Sequence, residues 1–270
     1  MIFVTGFIDL SHHEPRRTST EEWMQRGKWL FSQDVPLVYF SDTFPLPVKR
    51  KMVYVATPRL DFSDVPRVDA LLSRSKFQYD PAKDTARYLL LMKERYRWMR
   101  MVTNLEQFQT EEVFTWVDFG LPHAPEDSLL DVARRDPAPG KIRLASISHV
   151  PRYAREDLDV YYSRHWWPVG GGLWSARAPE IEWLADRISE EWARCLDLGF
   201  AVTDEMMLGR IVIEHPEKFD LYYADHTSLA ANWSGVRRSH ELIAHMALEA
   251  LKDGSPEEAR ERFLALGGAR

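Results

Sequence analysis

Short runs of β-branched and aromatic residues alternate with longer segments whose apolar residues recur at helical spacing, and that alternation leaves few folds open to the chain. Residues 2–5, 36–41 and 51–56 read as strands. Between the first two lies Thr18-Ser19-Thr20-Glu21-Glu22, a capped helix start, followed by Trp23, Leu30 and Phe31 on one helical face. Strand, helix and strand in that order build a parallel sheet covered by helices, so the expected class is α/β.

The pattern continues along the chain. From Asp84 to about Thr103, Tyr88, Leu91, Met92, Arg95, Trp98 and Met99 mark a long helix with an apolar stripe and basic residues beside it. Val113-Phe114-Thr115-Trp116-Val117 then reads as a buried strand that stops at Asp118-Phe119-Gly120, with Pro122 and Pro125 in the loop beyond. A helix from about Glu126 to Arg135 and a strand from Lys141 to Ser148 follow, separated by the Asp136–Gly140 turn. Trp166-Trp167-Pro168 precedes Gly170-Gly171-Gly172, which reads as a glycine turn. Pro179 opens a helix to about Leu196, Thr203 caps another through Glu214, and a strand Phe219–Tyr223 leads into a helical tail.

Composition excludes several functions. The 41 acidic and 35 basic residues leave a net charge of -6, so no basic field favours polymeric nucleic acid. A lone cysteine, Cys195, excludes an intramolecular disulfide and a cysteine-based zinc cluster, and fits a reducing, cytoplasmic location. Met1–Thr5 is apolar at once and meets Asp9 before a signal or membrane segment develops, so it reads as the first strand. No stretch reaches the roughly 18 apolar residues of a spanning helix, which leaves peripheral membrane contact open. The ten tryptophans mostly belong to the core, and any exposed ones have the shape to stack on sugar rings.

Asp118 ends a strand, where ligands of open α/β sheets bind, and its carboxylate suits a divalent cation on a diphosphate or a ribose hydroxyl; it also fits the start of a turn. The Asp-Phe-Gly triplet occurs in protein kinases, but no glycine-rich loop, Val-Ala-Ile-Lys strand or His-Arg-Asp loop accompanies it. Gly170–Gly172 permits close backbone approach to a ligand and is no P-loop, since no Gly-Lys-Ser/Thr follows. Asp204-Glu205 opens a helix, where the N–H groups favour carboxylates as caps or as a base. His226 follows a strand, placed for a metal or a phosphate, with the same caution for His12, His13, His123, His149, His165 and His215. Lys93 and Arg97, one turn apart on the long helix, are candidate countercharges for a diphosphate or simply a solvated face.

Taken in order, the Trp-Val-Asp-Phe-Gly strand end, the glycine run, the acidic pair and the later histidine resemble the hallmarks of GT-A glycosyltransferases. More narrowly, Val4-Thr5-Gly6-Phe7-Ile8-Asp9, Leu91-Met92-Lys93 and Trp116–Gly120 look like the HtrL/YibB-like family of bacterial proteins, over roughly residues 1 to 235. The resemblance implies a GT-A fold with a mixed, mostly parallel sheet flanked by helices, in one domain over 1–270. Residues up to about 120 would form the nucleotide half, 121–235 the acceptor half and 236–270 a helical tail. It implies transfer of a sugar from a nucleotide-sugar donor to a hydroxyl acceptor. Thr5, Gly6, Phe7, Lys93, Arg97, Asp118, Gly171 and Gly172 would hold the donor, and Asp204 or Glu205 would act as base. Mn²⁺ or Mg²⁺ would sit on Asp118 and His226; without a cation, Lys93 and Arg97 would carry the countercharge. The sequence departs from the pattern in two places: Phe119-Gly120 follows Asp118 in place of a second Asp, and the acidic pair reads Asp-Glu. A nucleotidyltransferase, a sugar-nucleotide hydrolase and a non-catalytic carbohydrate-binding protein are the alternatives.

Overall fold

The computed structural model describes residues 1–12, 14, 18–42, 52–56, 60, 62–74, 83–110, 112–121, 128–164 and 167–267. His13, His123, His165, Trp166, Pro122, Pro125 and the first residues of the helix expected from Glu126 lie outside that set.

Strand β1 (Ile2–Phe7) leads into helix α1 (Thr20–Ser32), whose start is a reciprocal capping box between Ser19 and Glu22. Strands β2 (Leu37–Ser41) and β3 (Met52–Ala56) follow, then α2 (Val65–Leu72) and the long α3 (Ala86–Thr103), capped by Thr85. Next come β4 (Phe114–Val117), the short α4 (Leu129–Ala133), β5 (Ile142–Ser146) and the short α5 (Leu158–Tyr162). Strand β6 (Val169–Ala176), α6 (Ala178–Leu198), α7 (Asp204–Glu214) and β7 (Phe219–Tyr223) precede a terminal helix pair, α8 (His240–Lys252) and α9 (Pro256–Gly267).

The strands form one sheet in the order β3-β2-β1-β4-β6-β5-β7. β6 runs antiparallel to β4 and β5, and the remaining pairings are parallel. One face buries α2, α3, α6 and α7; the other buries α1, α4 and the segment around Leu229 and Trp233. The architecture is therefore the expected mixed, mostly parallel sheet between helices, consistent with a GT-A-like arrangement.

The glycine run is where the expectation of a turn fails. Gly170, Gly171 and Gly172 lie inside β6, and the bend appears as a register shift: Leu144 pairs with Trp174 while its neighbour Ala145 pairs with Gly170. Gly171, Gly172 and Leu173 are thus left without partners on β5 in a bulge. Because β6 is reversed, this bulge lies at the carboxyl ends of β4 and β5.

Glycines also admit aromatic rings elsewhere. A Cβ on Gly27 of α1 would stand 2.2 Å from the Phe119 ring, and one on Gly6 of β1 would stand 2.2 Å from Trp98. Phe119 cannot yield easily, since its ring packs against Phe7 at 4.9 Å, Phe31 at 5.7 Å and Tyr39 at 5.8 Å. Helix propensity alone would make Gly27→Ala stabilising by about 1 kcal/mol. Overpacking against Phe119 outweighs it, so urea denaturation is expected to show a net loss of about 1–2 kcal/mol; a gain would mean that the ring moves freely.

Candidate active site

The site is built around the inner face of α3. Tyr88, Met92, Arg95 and Tyr96 recur at helical spacing, which sends them to one side of the helix, towards the end of β4 and the start of α7. Arg95 is the centre, with 3% of its side chain exposed. Its Nε donates to the Met92 carbonyl at 3.2 Å, and its Nη1 donates to Asp118 Oδ1 at 3.1 Å and to the Gly171 carbonyl at 2.7 Å. Its Nη2 forms a close ion pair with Asp204 Oδ2.

Each carboxylate is delivered by a different element. Asp118 follows β4; its N–H donates to the Gly172 carbonyl at 2.8 Å, and its Oδ1 also accepts from Trp116 Nε1 at 2.6 Å. Its Oδ2 accepts no hydrogen bond among the described residues, and the side chain is 38% exposed. Gly172 is what leaves that oxygen uncovered, since a Cβ there would stand 3.2 Å from it. Asp204, the first residue of α7, is buried and takes the Tyr96 hydroxyl at 2.9 Å beside Arg95. Glu205 is half-buried, and its Oε1 accepts the Gly171 N–H at 3.2 Å. Thr203 stands at the helix N-cap, but its side chain makes no capping hydrogen bond.

Three carboxylates therefore surround one guanidinium. Burial opposes the charge on Arg95, but Asp204 and Asp118 outweigh it and hold the group firmly protonated. Burial also raises the Asp204 carboxyl, against the pull of Arg95 and Tyr96. Glu205 carries the excess: burial and then the neighbouring Asp204 charge push it up to about 8, with Arg95 opposing. Tyr88 feels the same cluster, raised by burial and then by Asp118.

The structure brings Asp118, Asp204, Glu205, Gly171 and Gly172 together. Lys93 and Arg97 point elsewhere: each lies two residues from Arg95, about 200° around the helix. Lys93 Nζ sits 5.2 Å from the centre of the Trp192 ring of α6, and Arg97 pairs with Glu94 at 3.0 Å. Thr5 is buried within β1, Gly6 makes room for Trp98, and Phe7 stacks on Phe119. His226 is exposed in the segment after β7, edge-on to Trp167 with ring centres 5.9 Å apart. His149 is buried against Arg262 of α9 at 2.9 Å, and His215 lies against Trp183. Among the described residues no group of three or more His, Cys, Asp or Glu is placed to hold a metal ion, and no helix is long and apolar enough to cross a membrane.

Arg95, Tyr96 and Trp116 are the site residues that motif reasoning passes over. A signal existed for Arg95: it stands in the apolar stripe of α3, and a charge at a core position demands a buried partner.

No family model matches the chain, and no curated protein matches it in sequence. Among solved structures the chain is similar to the crystal structure of a glycosyltransferase involved in the glycosylation of the major capsid of PBCV-1, at 9% identity and a TM-score of 0.39, over 82% of this chain and 79% of that one. So loose a likeness carries no argument about activity, and the narrower HtrL/YibB-like resemblance gains no support.

The raised Glu205 carboxyl has a consequence for stability. In the folded protein Glu205 keeps its proton between the ordinary glutamate value of 4.5 and about 8, whereas the unfolded chain gives it up. Its contribution is fully present below 4.5 and is lost as pH rises towards 8. Melting temperatures measured across that window should fall with pH in the wild type and fall less steeply in Glu205→Gln. Equal slopes would show that Glu205 titrates normally.

Proposed function

We propose that the chain is a glycosyltransferase that moves a sugar from a nucleotide-sugar donor to a hydroxyl acceptor. The observation that carries this reading is the meeting of Asp118, at the carboxyl end of β4, with Glu205, in the first turn of α7, across the β6 bulge. Ligands of open α/β sheets lie at such strand ends. Two carboxylates with different surroundings suit a reaction with a donor side and an acceptor side.

Glu205 is the proposed base. The Gly171 N–H holds Oε1, while Oε2 accepts no hydrogen bond among the described residues. Once ionised, Glu205 takes the proton from the acceptor hydroxyl as that oxygen bonds to the anomeric carbon. The bond from that carbon to the diphosphate breaks in the same displacement, and the nucleoside diphosphate leaves with the electron pair. Asp204 is too enclosed by Arg95 and Tyr96 to meet an acceptor, and acts by raising Glu205 into a range where a base is effective.

Asp118 Oδ2 fits a divalent cation as a single ligand, being uncovered beside Gly172. Asp118 would hold Mn²⁺ or Mg²⁺ together with the donor diphosphate, and the cation would neutralise charge on the leaving group; His226, edge-on to Trp167, is not among the residues gathered around Asp118. Lys93 and Arg97 are poor substitutes, given their positions on the far side of α3.

Two experiments test the reading. With a panel of uridine and guanosine diphosphate sugars and of hydroxyl acceptors, the wild type should release nucleoside diphosphate and glycosylated acceptor together, with kcat/KM rising to a plateau above pH about 8. Glu205→Gln should lower kcat by about 10²–10⁴-fold. A folded Glu205→Gln protein with full activity removes Glu205 from the chemistry, and free sugar beside the nucleoside diphosphate, with no glycosylated acceptor, favours a hydrolase. In thermal-shift titrations, Mn²⁺ should increase the stabilisation by uridine or guanosine diphosphate in the wild type and not in Asp118→Asn. An equal increase in both would place the cation elsewhere.

A further inference from the structure

Arg95 does more than neutralise its neighbours. The donors of its guanidinium go to Met92, Asp118, Gly171 and Asp204, with 3% of the side chain exposed, so it has no surface to offer a substrate phosphate. Those bonds tie α3 to the end of β4, to the β6 bulge and to the first turn of α7. Gly171 transmits the constraint through the peptide groups on its two sides: its carbonyl accepts from Arg95 at 2.7 Å, while its N–H donates to Glu205 at 3.2 Å. Gly171 has no slack, since a Cβ there would stand 3.1 Å from Arg95 Nη2, 3.2 Å from Glu205 Cγ and 3.3 Å from Asp204 Oδ2.

Stability alone is a weak reason for such an arrangement. Apolar side chains of similar volume generally replace buried ion pairs without loss, and often with a gain. What they do not reproduce is a planar fork that fixes the relative positions of two carboxylates.

We propose that Arg95 is a positioning residue that sets the separation between Asp118 on the donor side and Glu205 on the acceptor side. This rests on the transferase reading. Misplacement of reacting groups by about 1 Å costs on the order of 100-fold in rate, so the effect falls on kcat and spares donor binding.

The test compares the wild type, Asp204→Asn, and the pair Arg95→Met with Asp204→Asn, in which no buried charge of the ion pair is left alone. Folding is followed by thermal melting, and kcat and donor KM by release of nucleoside diphosphate from the same panel of uridine and guanosine diphosphate sugars. The paired variant should melt near the wild-type temperature with a kcat about 100-fold below Asp204→Asn and a donor KM within a few-fold of it. A folded paired variant as fast as Asp204→Asn overturns the proposal and leaves Arg95 a structural residue. Should the pair fail to fold, Arg95→Lys keeps the charge without the fork: a kcat loss at constant donor KM supports the proposal, and wild-type kcat overturns it. If the wild type turns over none of the donors, the transferase reading falls and this inference falls with it, a result distinct from failure in the variants.

Discussion

A guanidinium sealed inside a protein must be neutralised where it lies, and Arg95 draws Asp118 and Asp204 together for that reason. Four segments far apart in sequence meet at this group: the middle of α3, the end of β4, the bulge of β6 and the start of α7. Their backbones cannot shift independently without exposing or abandoning a buried charge. The local geometry is thus set by electrostatics within a frame that hydrophobic packing supplies.

The frame admits this cluster because β6 is reversed. Its first residues lie beside the carboxyl ends of β4 and β5, and the shift between Leu144 and Ala145 frees Gly171 and Gly172 from regular pairing with β5. Gly171 then faces Arg95 and Glu205 while Gly172 faces Leu121, Leu229 and Asp118, so each glycine makes room beside one of the two acids. Any larger residue at Gly171 would press on the ion pair, which explains glycine where strand propensity disfavours it.

Charge balance links this geometry to chemistry. Burial, and then the excess negative charge of three carboxylates around one cation, leave a proton on one of the two acids that open α7. That acid is Glu205, which retains an uncommitted oxygen, whereas Asp204 is consumed by Arg95 and Tyr96. On the other side of the bulge Asp118 presents one open oxygen beside Gly172. The arrangement separates a proton-handling group from a cation- or donor-handling group, as a transfer between two substrates requires.

The sequence by itself determined the alternation of strands and helices, the end of β4 at Asp118 and the start of α7 at Asp204, because periodicity, capping residues and strand-ending motifs are local signals. Arg95 stands in the apolar stripe of α3, a local mark of a buried charge that Lys93 and Arg97 lack, but nothing local names the carboxylates it meets. Likewise Gly170–Gly172 carries the composition of a turn, and only pairing with β4 and β5 made it a bulge within a strand. Tertiary structure alone decided that Asp118 and Asp204 share one guanidinium, because a buried charge selects its partners by distance across the fold and leaves no spacing in the chain to mark the choice.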